Sequence, residues 1–237
     1  MLKQSSEINK NRKADLLTFC KKLDLHFKNL DLLEQAFHHR SLTNEKKNIQ
    51  NNERLEFLGD SVLGMVTAAY LYNLLDSPEG ELAKIKSYVV SEKALAPVAI
   101  KYGINKLLIM GKGEEMTGGR EKPAILADCM EAIIGAYYLD SGYKAAEKYV
   151  LAFIEPAVKD VLQNGMKDYK TLLQEVYQKN YKECPVYELV GKKGPDHDQI
   201  FEVVVHLGKE TIGPLTGKSK KEAEQKVAKA ALEYLKQ

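Results

Sequence analysis

Five acidic residues stand out by their spacing. Glu53, Glu56 and Asp60 in NNERLEFLGDSVLG fall at i, i+3 and i+7, and Asp128 and Glu131 in PAILADCMEAIIGAYY fall at i, i+3. At about 100° per residue, each set shares one stripe of a helix. Salt bridges are the ordinary use of such residues, but here that reading is weak. Glu56 and Asp60 are a like-charge i, i+4 pair, which costs about a few tenths of a kcal/mol on a bare helix. Asp128 and Glu131 have no Lys or Arg three or four positions away, and Asp128 lies past the first turn counted from Pro123, where the helix dipole offers little. Carboxylates among apolar neighbours are unfavourable unless something neutralises them. Converging carboxylates suit a hard divalent cation such as magnesium or manganese, with water completing the shell. Such a site activates a bound water and offsets charge on pentavalent phosphorus, so hydrolysis of a phosphate ester leads the candidate reactions. On spacing alone a structural acidic cluster and a diiron-type site stay open, although the Glu-x-x-His of the latter is missing. The histidines and cysteines show no zinc spacing. His38 and His39, adjacent on an expected helix, suit structural or surface roles.

The elements that must position these acids are helical. Apolar residues recur at three and four through DLLTFCKKL, NLDLLEQAF, RLEFLGDSVLGMVTAAYLYNLL, ELAKIKSYVVSEKALAPVAIKYGI, KPAILADCMEAIIGAYYLD and AAEKYVLAFIEPAVKDVL. The glycine-rich stretch GKGEEMTGGREK, residues 111–122, reads as a mobile surface loop. The pattern changes near residues 160–168. One helix-like run, KTLLQEVYQKN, leads into CPVYELVGKKGPDHDQIFEVVVHLGKETIGPLTGK, which reads as three short strands, and SKKEAEQKVAKAALEYLKQ closes as an amphipathic helix capped by Ser219.

The 237 residues carry 35 Lys+Arg against 33 Asp+Glu and are 44% hydrophobic, which excludes collagenous and wholly disordered chains. The charge divides unevenly in kind: 22 basic and 22 acidic residues precede position 164, and the remaining 13 basic residues, against 11 acidic, are all lysine. Three scattered cysteines argue against a disulfide framework and for a reducing compartment. The polar N-terminus and the lack of a long uncharged apolar window lead us to expect a cytoplasmic protein without a membrane segment.

Lys218, Lys220 and Lys221 precede and open the final helix, where free backbone N–H groups and the dipole favour an anion. An ordinary solvated charge run remains the alternative, since Glu222 and Glu224 follow at once. GPLTGKS imitates a phosphate-binding loop but has one residue too few between its glycines, so a nucleotide triphosphate site is rejected. The absence of Arg suits non-specific phosphate contact better than bidentate base reading.

Both halves resemble one family. NNERLEFLGDSVL is similar to the signature of ribonuclease III, EKPAILADCMEAIIGAYYLD to its second acidic motif and HHRS to its His-Arg-Ser stretch. DYKTLLQE, GPDHDQIFEV and GKSKKEAEQKVAKAAL are similar to its double-stranded RNA-binding domain. The resemblance implies a mainly α protein. An all-helical endonuclease domain (12–160), a linker (161–167) and an α-β-β-β-α double-stranded RNA-binding domain (168–237) follow one another. It implies that Glu56, Asp60, Asp128 and Glu131 hold Mg2+, with Mn2+ able to substitute, and that Asp60 and Glu131 lie nearest the chemistry. Glu53 matches a residue near the RNA and the dimer contact, and Phe57 an aromatic inserted into a pocket of a partner subunit. Gln174 and Glu175 match residues that meet one minor groove, His197 the residue that meets the next, and Lys218, Lys220 and Lys221 the lysines gripping phosphates between them. The activity implied is that of a homodimer cutting both strands of duplex RNA. It leaves 5′-phosphate and 3′-hydroxyl ends with two-nucleotide 3′ overhangs, in maturation of ribosomal RNA and other structured transcripts. A catalytically silent duplex-binding dimer is the rival, and intact acids argue against it. Cys129, where small or apolar residues are usual, raises the expectation of oxidation sensitivity.

Overall fold

The computed structural model describes residues 8–45, 49–164, 169–194 and 199–235. The chain divides into two compact units between Gln163 and Asn164.

The first unit is helical. Helix α1 (Lys10–Lys22) is capped by Asn9, whose side chain accepts from the Arg12 N–H, and α2 (Leu30–Ala36) by Asn29 in the same way through Asp31. A 3-10 turn at Arg40–Asn44 leads to α3 (Glu53–Leu74). Next come α4 (Glu79–Val89), α5 (Glu92–Tyr102), α6 (Ile104–Leu107) and α7 (Lys112–Met116). A second 3-10 turn at Gly119–Glu121 precedes α8 (Pro123–Ser141) and α9 (Tyr143–Asn164). Helix α8 is the centre: between Ile125 and Tyr137 every residue except Asp128 and Glu131 is buried, eleven in all, and it packs on α2, α3, α5 and α6. A helix apolar on every side must be surrounded. Arg12 is a half-buried strut, its Nε donating to Glu34 (2.7 Å), its Nη2 to the Leu107 carbonyl (2.8 Å) and its guanidinium 5.3 Å from the Phe37 ring centre.

Three readings of the sequence differ from these elements. The apparently continuous helix from Glu81 to Ile104 breaks at Val90, and Ser91 restarts it in extended geometry, so α5 begins at Glu92. His38 and His39 are not helical: His38 bridges Ile109, and His39 caps the 3-10 turn through a ring nitrogen that accepts from the Ser41 N–H (3.3 Å). The glycine-rich stretch 111–122 is built rather than open. Arg120 donates to the carbonyls of Asn105 (2.9 Å) and Leu108 (2.8 Å), Lys122 pairs with Glu114 (2.6 Å), and Gly119 packs against Glu114 and Met110 too closely for a Cβ.

In the second unit, α10 (Tyr169–Tyr181) precedes β1 (Val186–Lys193), β2 (Ile200–Leu207) and β3 (Glu210–Gly217), an antiparallel sheet in chain order, and α11 (Lys220–Tyr234) closes it. Alternation in β2 puts Val203, Val205 and Leu207 on one face, where Leu173, Tyr177, Ala223, Val227, Ala228 and Ala231 complete a core. Small alanines on α11 let the helix lie close on the sheet. Ser219 accepts from the Glu222 N–H (3.1 Å) as its cap. No helix among the described residues is long and apolar enough to cross a membrane.

Candidate active site

The acidic helices meet at two glycines. A Cβ on Gly59 would lie 1.8 Å from the Glu131 carbonyl oxygen, and one on Gly135 would lie 2.1 Å from the Leu55 carbonyl oxygen. With no side chain between them, α3 and α8 cross backbone to backbone. Glu56 and Asp60, flanking Gly59, therefore confront Asp128 and Glu131. The Ala36 carbonyl fixes both helices, accepting from the buried Asn52 side chain at the start of α3 (3.3 Å) and from the Cys129 thiol in α8 (3.3 Å).

The four carboxylates share one electrostatic environment. Burial pushes the Glu131 carboxyl up to about 8, and the charges of Asp60, Asp128, Glu56 and Glu92 add to the rise. Burial likewise raises Glu56, reinforced by Asp128, Glu53 and Asp60, and raises Asp128, reinforced by Glu92. Asp60 is the exposed member of the set, whereas Glu56, Asp128 and Glu131 are half-buried. As the side chains stand, no three His, Cys, Asp or Glu among the described residues converge to hold a metal ion. The donor set still fits a hard divalent cation: it is all oxygen, and burial together with mutual repulsion disfavours the charged form of Glu131, which a bound cation would offset.

Two residues near the cluster carry no assigned role in the sequence, although Arg40 lies within HHRS. Glu92, first residue of α5, acts on both Asp128 and Glu131. Its only sequence signal is the Ser-Glu start hidden inside a run that reads as one helix. Arg40 lowers both Glu56 and Asp128 against their other influences and lies 3.8 Å from Glu53. Cys129 is fully buried and burial pushes its thiol far up, so the thiolate that oxidation requires is disfavoured, against the expected sensitivity.

Glu53 is exposed at the start of α3, accepting from the Asn51 side chain (2.7 Å). Phe57 is 77% exposed, an unusual position for a phenylalanine in a helix whose opposite face is core. Phe57 itself edges a depression of about 840 Å³ whose lining is mixed, with Leu32, Leu55, Leu58 and Leu139 beside the polar Gln35 and Arg54.

On the second unit, Gln174 and Glu175 are exposed on α10, opposite the buried Leu173 and Tyr177. Lys218, Lys220 and Lys221 are exposed around the α11 N-terminus, and among the described residues Lys220 and Lys221 form no ion pair. Glu222 turns instead to Lys226 (2.7 Å) and to the Lys218 N–H (2.9 Å), which leaves the lysine charges facing outward. His197 lies outside the described residues.

Residues 29–158 match the family described as Ribonuclease-III-like, and residues 169–235 match the double-stranded RNA binding motif. The chain is 57% identical over 233 residues to Ribonuclease 3 of Treponema denticola, covering 97% of this chain and 95% of that one. It is 44% identical over 240 residues to Ribonuclease 3 of Borreliella afzelii, covering 99% and 98%. Among solved structures, the nuclease domain of ribonuclease III from Campylobacter jejuni matches with a TM-score of 0.55 at 40% identity, over 59% of this chain and 95% of that one. A helical nuclease unit followed by a duplex-RNA-binding unit defines an endoribonuclease directed at double-stranded RNA. The chain belongs to the ribonuclease III family.

Proposed function

We propose that the chain, as a homodimer in the cytoplasm, hydrolyses both strands of duplex RNA with a divalent metal, Mg2+ or in its place Mn2+, held by Glu56, Asp60, Asp128 and Glu131. The products are 5′-phosphate and 3′-hydroxyl ends with two-nucleotide 3′ overhangs. The observation that carries this reading is the glycine crossing that opposes two acidic pairs and drives Glu131 up to about 8. A bound divalent ion would supply Lewis acidity and an activated water there. Attack in line on phosphorus joins the water oxygen to it and releases the 3′ oxygen, which gives the stated ends. Within the chain, Asp60 on the exposed side and Glu131 beneath it are the two carboxylates nearest the reaction, and Glu56 and Asp128 complete the set. Assignment to ribosomal precursors and other structured transcripts rests on the family resemblance.

Incubation of a long perfect RNA duplex with and without Mg2+, followed by end analysis, tests the reaction. Cleavage confined to the Mg2+ sample, with 5′-phosphate ends and staggered cuts, is expected. An intact duplex in Mg2+ would overturn the reading.

Glu131 gives the site a pH signature. Below about pH 8 its proton must leave before a metal ion can bind, so affinity rises with pH. Mn2+ binding to the RNA-free chain should strengthen by close to tenfold from pH 6 to 7 and flatten above about 8. Calorimetry in buffers of different ionisation enthalpy reads the proton released. A pH-independent affinity would remove Glu131 from the ligands.

Duplex capture falls to the second unit, where Gln174, Glu175 and His197 meet minor grooves and Lys218, Lys220 and Lys221 take phosphates. Replacing Lys220 and Lys221 by Ala should weaken duplex binding by roughly tenfold at physiological salt and flatten log K against log salt by about one to two, because fewer counterions are released. Filter binding over a salt series measures this, and an unchanged slope removes both lysines from the interface.

The dimer reading is supported by α3, where Phe57, Met65 and Tyr72 (77%, 52% and 77% exposed) form an outward apolar stripe beside the depression. A two-fold axis lets each Phe57 enter the other copy's depression, with Glu53 at the edge of the contact. Phe57→Ala should shift the chain towards monomer in sedimentation at micromolar concentration, and a dimer as tight as the native one would exclude this face.

A further inference from the structure

We propose that Arg40 belongs to the cleavage site, its guanidinium taking a phosphate oxygen of the RNA strand being cut, beside the carboxylate cluster. This rests on the phosphodiester-hydrolysis reading above and adds to it a substrate-binding side chain from an element outside the acidic helices.

The base of Arg40 is rigid and its tip is free. The preceding His39 N–H donates to the Ile109 carbonyl (2.9 Å), the Arg40 carbonyl accepts from the Thr43 hydroxyl (2.7 Å), and the Ser41 hydroxyl accepts from the Gly111 N–H (2.9 Å). Three bonds thus fix the turn that launches the side chain. The side chain itself is 72% exposed, and its one ion pair among the described residues is the 3.8 Å approach to Glu53. That contact is too long for a bidentate pair, and Glu53 is already engaged by Asn51 (2.7 Å).

Neighbouring cations are used differently. Lys122 is closed onto Glu114 (2.6 Å), while Arg120 is held by Glu115 and two backbone carbonyls. Arg12 is half-buried and paired with Glu34 (2.7 Å). Arg40 alone in this group holds most of its five N–H donors uncommitted, and its charge reaches Glu56 and Asp128.

The chemistry asks for such a group. Glu53, Glu56, Asp60, Glu92, Asp128 and Glu131 present a field that repels a polyanion, and a metal ion held by four of them is largely consumed in offsetting its own ligands. An adjacent guanidinium, charged at every working pH and able to offer two parallel N–H donors to two phosphate oxygens, supplies attraction at the point where the strand must enter.

The test uses the full chain carrying Arg40→Ala, Arg40→Gln or Arg40→Lys, in single-turnover cleavage of a long duplex at saturating Mg2+ over a salt series. Melting curves and Mn2+ titration without RNA serve as controls. Loss of a charge-assisted bond predicts a fall in kcat/KM of roughly 10- to 100-fold for the Ala and Gln variants. The dependence of log kcat/KM on log salt should become shallower by about one, since one phosphate contact is lost. Arg40→Lys should keep the native slope while losing rate, because the charge remains and the fork does not. Mn2+ binding should be no weaker than in the native chain. An unchanged rate or an unchanged salt slope in Arg40→Ala overturns the proposal. So does weakened Mn2+ binding in both Arg40→Ala and Arg40→Lys, which would mean that the side chain only supports the cluster. Failure of the native chain to cleave in Mg2+ would instead strike the underlying reading and is seen in the same assay.

Discussion

Glu131→Gln is expected to abolish cleavage, by about a thousandfold or more, while duplex binding stays within twofold of the native chain. The size follows from the several kcal/mol that metal-borne charge stabilisation contributes to such a transition state, at 1.36 kcal/mol per tenfold. Gln keeps the volume and a hydrogen-bonding oxygen, so the α3–α8 packing is preserved, but it cannot carry the negative charge a hard cation requires. The substitution carries a second signature with the opposite sign. The folded Glu131 carboxyl titrates near 8 against an ordinary 4.5, so between these values the folded chain binds more protons than the unfolded one, and stability falls as pH rises. As far as this group contributes, native stability is fully present below about 4.5 and lost by about 8. In the metal-free chain, Glu131→Gln should therefore melt at a higher temperature than the native protein above neutral pH and show a flatter melting profile against pH. Loss of activity together with lower stability at pH 8 would mean that the substitution disturbs packing, and cleavage retained in Mg2+ would remove Glu131 from the site.

The acidic pairs were legible in the sequence because helical spacing is a local property: Glu56 with Asp60, and Asp128 with Glu131, declare their stripes without reference to the rest of the chain. That the stripes oppose one another is not local. It depends on Gly59 and Gly135, whose missing side chains matter only once α3 and α8 are placed together. The order of the second unit was equally legible, since Val203, Val205 and Leu207 alternate and Ser219 announces the last helix. Glu92 stayed hidden because apolar periodicity runs through Val89 and Val90 into Leu95 without interruption, and only the extended backbone at Ser91 reveals two helices. Stretch 111–122 misled for a related reason. Glycine composition predicts freedom, whereas Arg120 and Lys122 find partners contributed by distant or adjacent segments that close the chain down. Arg40 was visible as a residue but not as a neighbour of Glu56 and Asp128, since the 3-10 turn that presents it carries no apolar period.

The glycine crossing carries the second large effect. Gly59→Ala would drive a methyl group to 1.8 Å from the Glu131 carbonyl oxygen, and Gly135→Ala to 2.1 Å from that of Leu55. Both obstacles are backbone atoms of fully packed helices, so neither can rotate aside, and α3 and α8 must separate. Helix propensity works the other way, favouring Ala over Gly by about 1 kcal/mol, but overpacking a core costs roughly 1–3 kcal/mol or more, and here the clash is with backbone. Net destabilisation of roughly 2 kcal/mol or more is expected for either variant, with the larger loss at Gly59 because the contact is closer. Activity should fall further than stability. Separation of the helices pulls Glu56 and Asp60 away from Asp128 and Glu131, and a metal site tolerates little change in the span of its ligands. Weaker mutual repulsion should also let Glu131 titrate lower, so the pH at which Mn2+ affinity levels off should move down in any variant that remains folded. Gly64, on the same helix with nothing within 4 Å of an added Cβ, is the internal control, and Gly64→Ala should leave stability, cleavage and metal binding close to native. Denaturant melts, single-turnover cleavage and Mn2+ titration across the three variants separate these effects. Native-like Mn2+ binding in Gly59→Ala would show that the close crossing is not what holds the two acidic pairs at their working distance.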